Sequence, residues 1–242
     1  MELQKLYSYT RKAIDDYHMI SDGDHIAVGV SGGKDSLTML YALAGLRRFY
    51  PQHFEISAFT VDLGFEGFSD ACAGIKTLCE RFSVPYTIIS TPIQEIIFQD
   101  RKEKNPCSLC ANFRRGALNS VAIREGCNKI ALGHNEDDVL ETFLLNLLYT
   151  GTINTFSPVS YMDRSKITLI RPLIYAPEKY IKNFIKRNDI QVMEKVCPVD
   201  GTSKREDMKK MINDLKLDIP HIRANLYGAI KRNLEDWKQP GN

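Results

Sequence analysis

Residues 26–36 read Ile-Ala-Val-Gly-Val-Ser-Gly-Gly-Lys-Asp-Ser, an apolar run of strand length that passes directly into two glycines, a lysine and an acid. From Ser36 to Tyr50 the chain takes up a helical period. A strand, a glycine turn and a helix in succession make a seat for an anion. The glycines let the backbone turn tightly with its N–H groups facing outward, and the helix N-terminus adds partial positive charge. The spacing is not that of the familiar phosphate motifs: the four-residue gap of a Walker A loop is missing, and so is G-x-G-x-x-G. A strand-to-helix turn with a serine or aspartate cap is the plainer account of such a loop.

Outward from this loop, strand-length apolar runs alternate with helical segments, the pattern of an α/β protein with a parallel sheet covered by helices. Strands are expected at His25–Val30, Glu55–Val61, Tyr86–Ser90 and Lys129–Gly133, with another near Thr168–Ile170. Helices are expected at Ser36–Tyr50, Ser69–Phe82, Asn112–Glu125, Glu136–Tyr149, Glu178–Arg187 and Arg205–Leu215. Ala71, Ile75, Leu78, Cys79 and Phe82 fall on one face of the second, and Val139, Leu140, Phe143, Leu144, Leu147 and Leu148 form a stripe on the fourth. Leu3, Leu6, Ile14 and Tyr17 suggest an amphipathic leading helix. The expected organisation is an N-terminal helical segment (1–23), an α/β domain (24–175) and a C-terminal helical extension (176–242).

Composition bounds the class. With 242 residues, 43% hydrophobic, 26% charged and a formal net charge of +2, the chain can bury a sizeable core and lacks the charge-rich, core-poor make-up of a disordered protein. No stretch approaches the roughly 18 consecutive apolar residues of a membrane span, and the N-terminus lacks the apolar centre of a secretory signal. A soluble cytoplasmic protein with no membrane partner is the expectation. Near-neutral charge does not decide about nucleic acid, because one face can be basic on a neutral whole. Locally, Arg101, Lys102, Lys104, Arg114, Arg115 and Arg124 stand against the single acid Glu103.

A second constellation is Gly133-His134-Asn135-Glu136-Asp137-Asp138, followed by Glu141-Thr142. It falls between an expected strand and a helix. Asn135 suits the cap, and acids suit the first turn, where the helix dipole favours negative charge. Three acids exceed what a cap requires. His134 and Asp138, four apart, could meet a metal or substrate beside the glycine loop. Val61-Asp62 ends another strand on the same side, where parallel sheets bind ligands.

The six cysteines divide into two sets. Cys72, Cys79 and Cys127 read as small core residues. Cys107-Ser-Leu-Cys110 is a C-x-x-C ahead of an expected helix, whose N-terminus lowers thiol pKa. Zinc would usually want a second such pair, and a thioredoxin-like pair would sit in another context. Cys197, before Pro198, supplies a third thiol. Three thiolates are too few to close a cubic iron–sulfur cluster, so one iron would stay open.

Ser31-Gly32-Gly33-Lys34-Asp35-Ser36 resembles the pyrophosphate loop, Ser-Gly-Gly-x-Asp-Ser, of the adenine-nucleotide alpha hydrolase, or PP-loop, superfamily, and residues 133–142 match its second signature. The resemblance implies a Rossmann-like, HUP-like sheet and cleavage of ATP between its alpha and beta phosphates. Ser31, Gly32, Gly33, Lys34, Asp35 and Ser36 would hold the polyphosphate. Asp62, Gly133 and His134 would complete the nucleotide site, and Asp35 and Asp138 would organise Mg²⁺ and the activation chemistry. With Cys107, Cys110, Arg114, Arg115 and Cys197 added, residues 20–215 look like the 2-thiocytidine tRNA synthetase family. That implies a [4Fe–4S] cluster on Cys107, Cys110 and Cys197, with Cys107 and Cys110 also serving catalysis. It further implies adenylation of the C2 oxygen of a tRNA cytidine and its replacement by sulfur. Implied partners are tRNA and a sulfur donor such as a cysteine desulfurase or free sulfide, and a homodimer is within the family pattern. Related 2-thiouridine enzymes often carry N-terminal zinc-binding cysteine pairs, and the absence of any cysteine before Cys72 favours the cytidine branch. A cluster-free ligase, such as a lysidine-forming enzyme, would share the loop but need no cysteine triad.

Overall fold

The computed structural model describes residues 2–97, 106–193 and 204–238. The chain opens with α1 (Glu2–Asp16), then runs β1 (Asp24–Gly29), α2 (Lys34–Leu46), β2 (Phe54–Asp62), α3 (Phe68–Ala71), α4 (Ala73–Arg81), β3 (Tyr86–Ser90), a turn α5 (Ile93–Glu95) and α6 (Pro106–Arg124). It continues with β4 (Lys129–Ala131), α7 (Glu136–Thr150), β5 (Val159–Met162), β6 (Ile167–Ile170), α8 (Glu178–Arg187), α9 (Lys204–Asp218), α10 (Ile222–Asn233) and a 3₁₀ turn at Glu235–Trp237.

Six strands form one sheet in the order β3-β2-β1-β4-β6-β5, parallel throughout except for the β5–β6 pair at one edge. Strand order reverses at β1. The chain moves to one side through β2 and β3, then returns to place β4 on the other side, so a crevice opens between the loops that follow β1 and β4. Those are the loops beginning at Val30 and Leu132.

Alternation along β1 divides the interior. Ile26 and Val28 join the larger core with α1, α2, α4 and α7–α10, while Ala27 faces the smaller one with Phe59, Leu118, Val121, Ile130 and Leu169. Helix α2 is buried from Ser36 to Leu46, which explains why Ser36–Leu46 has no polar face. Helix α6 covers the opposite face of the sheet through Leu118, Val121 and Ala122.

The expected strands and helices form, with differences of physical origin. The helix expected at Ser69–Phe82 is broken at Cys72 into α3 and α4, so the buried row is Phe68, Cys72, Ile75, Leu78 and Cys79 rather than one running through Ala71. Strand β5 and helix α10 lie beyond the expected set. Helix α7 outruns the core: Val139, Leu140, Phe143 and Leu144 are buried, but Leu147 and Leu148 are 37% and 53% exposed. At the C-terminal end Trp237 is fully buried, edge-on to Tyr17 and Tyr227, so both ends of the chain pack into one core. Among the described residues, no helix is long and apolar enough to cross a membrane.

Candidate active site

The glycine loop is closed by its own side chains. Ser31 N–H donates to Ser36 Oγ at 3.1 Å, and Ser36 Oγ donates to the Gly33 carbonyl at 2.9 Å. Gly32 carries φ +78°, the left-handed region that glycine enters freely, and Gly33 caps α2 with no side-chain acceptor on the helix N–H groups. The orphan donors at the start of α2 thus face outward, ready for an anion.

Gly133, after β4, presses against this helix start. A Cβ on it would lie 3.0 Å from both the Asp35 carbonyl carbon and the Ser36 nitrogen. Only a residue without a side chain lets the two loops approach so closely. Asn135 then links the motifs: its side-chain amide donates to Asp35 Oδ1 at 2.9 Å, and its backbone N–H donates to Asp138 Oδ2 at 2.9 Å. Its own Oδ1 accepts from the N–H groups of Asp137 and Asp138, completing a capping box.

The three acids of this turn separate by role. Glu136 and Asp137 pair with Arg223 of α10 at 3.2 and 2.9 Å, and Asp137 also accepts from Glu178 N–H at the start of α8. They are structural. Asp138 stays beside Asp35, with Arg205 at 3.9 Å. Burial, opposed by the Asn135 N–H and reinforced by the charge of Asp35, pushes the Asp138 carboxyl up to about 6. Two neighbouring carboxylates, one on the side-chain amide and the other on the backbone N–H of Asn135, suit a hard divalent cation such as Mg²⁺, which usually takes one or two carboxylates together with phosphate oxygens. Among the described residues, no group of three or more His, Cys, Asp or Glu could hold a metal on its own.

Lys34 lies 2.7 Å from Asp35 and 3.1 Å from Glu178, which also receives Lys182 and Lys209. Burial works against the Lys34 ammonium, but the two acids outweigh it and raise its pKa. Burial likewise works against the Glu178 carboxylate, and three lysines hold it down at about 2.

A cavity of about 340 Å³ opens beside the loop. Phe59, Val61, Leu118, Ile130, Leu132 and Leu169 give it an apolar floor, and Ser31, Gly33, Asp35 and Ser36 form its polar end. An apolar pocket with a few converging polar groups is the form that small-molecule sites take. Val61 reaches the wall, whereas the Asp62 carboxylate folds back to accept from Gly64 N–H at 2.8 Å.

Helix α6 supplies the remaining wall with Ala111, Arg114, Arg115 and Leu118. Cys107 is exposed and Cys110 half-buried in its first turns. At spacings of three and four residues, Cys107, Cys110, Ala111, Arg114, Arg115 and Leu118 share one helix face, so the thiol pair and the cavity wall belong to the same element. Neither Arg114 nor Arg115 makes an ion pair or hydrogen bond with a described residue. Cys197, Arg101, Lys102 and Lys104 lie outside the described residues. Cys72, Cys79 and Cys127 are buried in the core as expected, and burial pushes the Cys79 and Cys127 thiols up to about 12 and 11.

Sequence reasoning overlooks Arg171, Glu178 and Phe156. His134 lines the cavity with its ring against Phe156, centroids 4.7 Å apart, and Arg171 Nε–H donates to His134 Nδ1 at 3.3 Å. The signal available was a lone arginine between an apolar strand and Pro172. Lys209 is tied to Glu178, and Lys204 leans on Tyr149.

Comparison with known proteins gives the family and the fold. A family model described as a PP-loop domain matches residues 4–214. The tRNA-cytidine(32) 2-sulfurtransferase of Pelobacter propionicus is 40% identical over 95% of this chain and 87% of its own length. That of Geobacter sulfurreducens is 39% identical over 94% and 89%. Among solved structures, a U34-tRNA thiolase from Methanococcus maripaludis, described with its [4Fe–4S] cluster, superposes with a TM-score of 0.77 over 97% of this chain and 80% of its own. Its identity is 24%, so this likeness speaks to the fold.

Proposed function

Because the chain belongs to the PP-loop family, and within it to the tRNA-cytidine 2-sulfurtransferases, we propose that it is an ATP-dependent enzyme that replaces the C2 oxygen of a tRNA cytidine with sulfur. The relatives' names point to cytidine 32 as the target. The observation that carries this reading is α6, which holds Cys107 and Cys110 on the same face as the arginines and Leu118 that wall the cavity beside the phosphate loop.

The C2 oxygen is a poor leaving group. Attack by that oxygen on the alpha phosphorus of ATP expels pyrophosphate and converts it into part of AMP, which departs when sulfur bonds to C2. The residues present suit each part. The apolar floor accepts the adenosine, and residues 31–36 with the α2 N-terminus take the phosphates. Asp35 and Asp138 would hold Mg²⁺, which neutralises phosphate charge when bound. Arg114 and Arg115, exposed and without acidic partners among the described residues, suit the tRNA backbone at the cavity mouth.

Cys107, Cys110 and Cys197 would hold the [4Fe–4S] cluster, which when bound offers an open iron for the sulfur that is delivered. Support for Cys197 comes from the ends of its segment. Met193 N–H donates to the Gly32 carbonyl at 3.0 Å, and Arg205 lies beside Asp138. Four residues of chain reach at most about 14 Å from Met193. The donor, a cysteine desulfurase or free sulfide, and a homodimeric assembly in the cytoplasm complete the proposal.

Anaerobic purification with iron and sulfide analysis tests it. The wild-type chain is expected to carry the cluster and to thiolate cytidine in tRNA with formation of AMP; Cys107→Ala, Cys110→Ala and Cys197→Ala are each expected to lose iron. A colourless, iron-free wild-type chain, or iron undiminished from the wild-type level in the three variants, overturns the ligand assignment.

A further inference from the structure

The geometry points to Arg171 as a positioning residue that fixes His134 as a neutral imidazole with its proton on Nε2, so that His134 donates a hydrogen bond to a phosphoryl oxygen of the bound nucleotide. The inference rests on the nucleotide reading of the cavity and adds a specific donor to it.

Arginine carries only donors, so at 3.3 Å from Arg171 Nε the His134 Nδ1 must present its lone pair. In a neutral ring the proton then lies on Nε2. The guanidinium is itself fixed, since Arg171 Nη1 donates to the Ser157 carbonyl and to Ser160 Oγ, and the group stacks over Phe156 at 5.0 Å. The same Phe156 ring backs the imidazole, so its plane and its tautomer are held by separate neighbours.

Charge works in the same direction. Burial, followed by the positive charges of Arg171, Arg205 and Arg115, lowers the His134 pKa to about 3, so the ring stays neutral at physiological pH. Arg171 is 8% exposed, and burial with Arg115 nearby lowers it only to about 10, leaving it a cation and a constant donor. His134 follows Gly133, whose backbone abuts Asp35 and Ser36, and lines the same cavity as those two residues. A phosphoryl oxygen seated on the α2 N-terminus is the acceptor that a neutral Nε2–H would meet there.

Nitrogen-15 NMR of the histidine-labelled full-length chain tests this directly, with His134→Gln identifying the resonance among the five histidines. The expected spectrum has His134 Nδ1 unprotonated and Nε2 protonated from pH 5 to 8, with the Nε2 signal moving on addition of MgATP. Arg171→Met is expected to mix the two tautomers and raise the His134 pKa toward its ordinary value, while Arg171→Lys keeps a donor and the single tautomer. MgATP affinity is expected to fall about tenfold in His134→Ala but to stay within about threefold in His134→Gln, whose amide can still donate. A proton on Nδ1 in the wild type, an unchanged tautomer in Arg171→Met, or equal affinities for the Ala and Gln variants overturns the proposal. If Arg171→Met does not fold, the wild-type and Arg171→Lys spectra decide alone. The tautomer is read without nucleotide, so its failure is separable from that of the ATP reading, which would show as no MgATP binding by the wild type.

Discussion

Met193 is fastened to Gly32 by its backbone N–H, and a Cβ placed on Gly32 would fall 2.5 Å from Met193 Cβ. The left-handed φ of Gly32 adds to this restriction. Gly32→Ala is therefore expected to destabilise the chain by about 1–3 kcal/mol and to weaken MgATP binding at the same time. Thermal unfolding and a nucleotide titration check it; an unchanged melting temperature with unchanged affinity contradicts the packing described.

Asn135 has two duties, as cap of α7 and as the link between Asp35 and Asp138. Loss of the cap in Asn135→Ala is expected to cost about 1–2 kcal/mol of stability. Loss of the link should lower the rate of AMP formation by more than this small stability change would suggest. An activity loss that disappears once the variant is stabilised by a lower assay temperature would assign Asn135 to folding alone.

The double variant Arg114→Ala, Arg115→Ala leaves the sheet-facing residues of α6 in place. It is expected to weaken tRNA binding and to reduce the slope of log affinity against log salt by about one for each phosphate that is no longer neutralised. Binding measured at several salt concentrations decides the matter, since a parallel line displaced downward would mean that neither arginine meets a phosphate.

Glu141 is 8% exposed in α7, and burial, followed by the charge of Asp138, raises its carboxyl from 4.5 to about 7. The folded form thus holds this proton more tightly than the unfolded chain. Its contribution to stability is complete below about pH 4.5 and is lost as pH rises through 7. Glutamine has no such dependence, so Glu141→Gln should gain on the wild type by about 1–2 kcal/mol between pH 5 and pH 8. Denaturant unfolding at the two pH values measures the gain, and an equal difference at both would show that Glu141 does not titrate in this range.

Those parts of the site that depend on neighbouring residues were legible in the sequence: the turn at Gly32–Gly33 and the cap at Asn135. Cys107 and Cys110, expected ahead of a helix beginning at Asn112, lie instead inside α6, which begins at Pro106. The pairings that cross the chain were not legible. Nothing near Glu136 or Asp137 announces that Arg223 will neutralise them, and only the fold brings Arg171 to His134. Short elements that depend on tertiary context were hidden for a similar reason. Strand β5 is a four-residue edge strand that exists by pairing with β6, and the break at Cys72 interrupts a helical period that continues on both sides of it. The apolar run through Leu147 and Leu148 reads as core because periodicity carries no information about where a core ends.

Helix α6 is one continuous helix with thiols in its first turns and cavity wall along its length. Whatever occupies the thiol end and tilts the helix must alter the affinity of the pocket, and thermodynamic reciprocity then requires the pocket's occupant to change affinity at that end by the same factor. A group held at the thiols and a nucleotide in the pocket would then be coupled through a single bar of backbone.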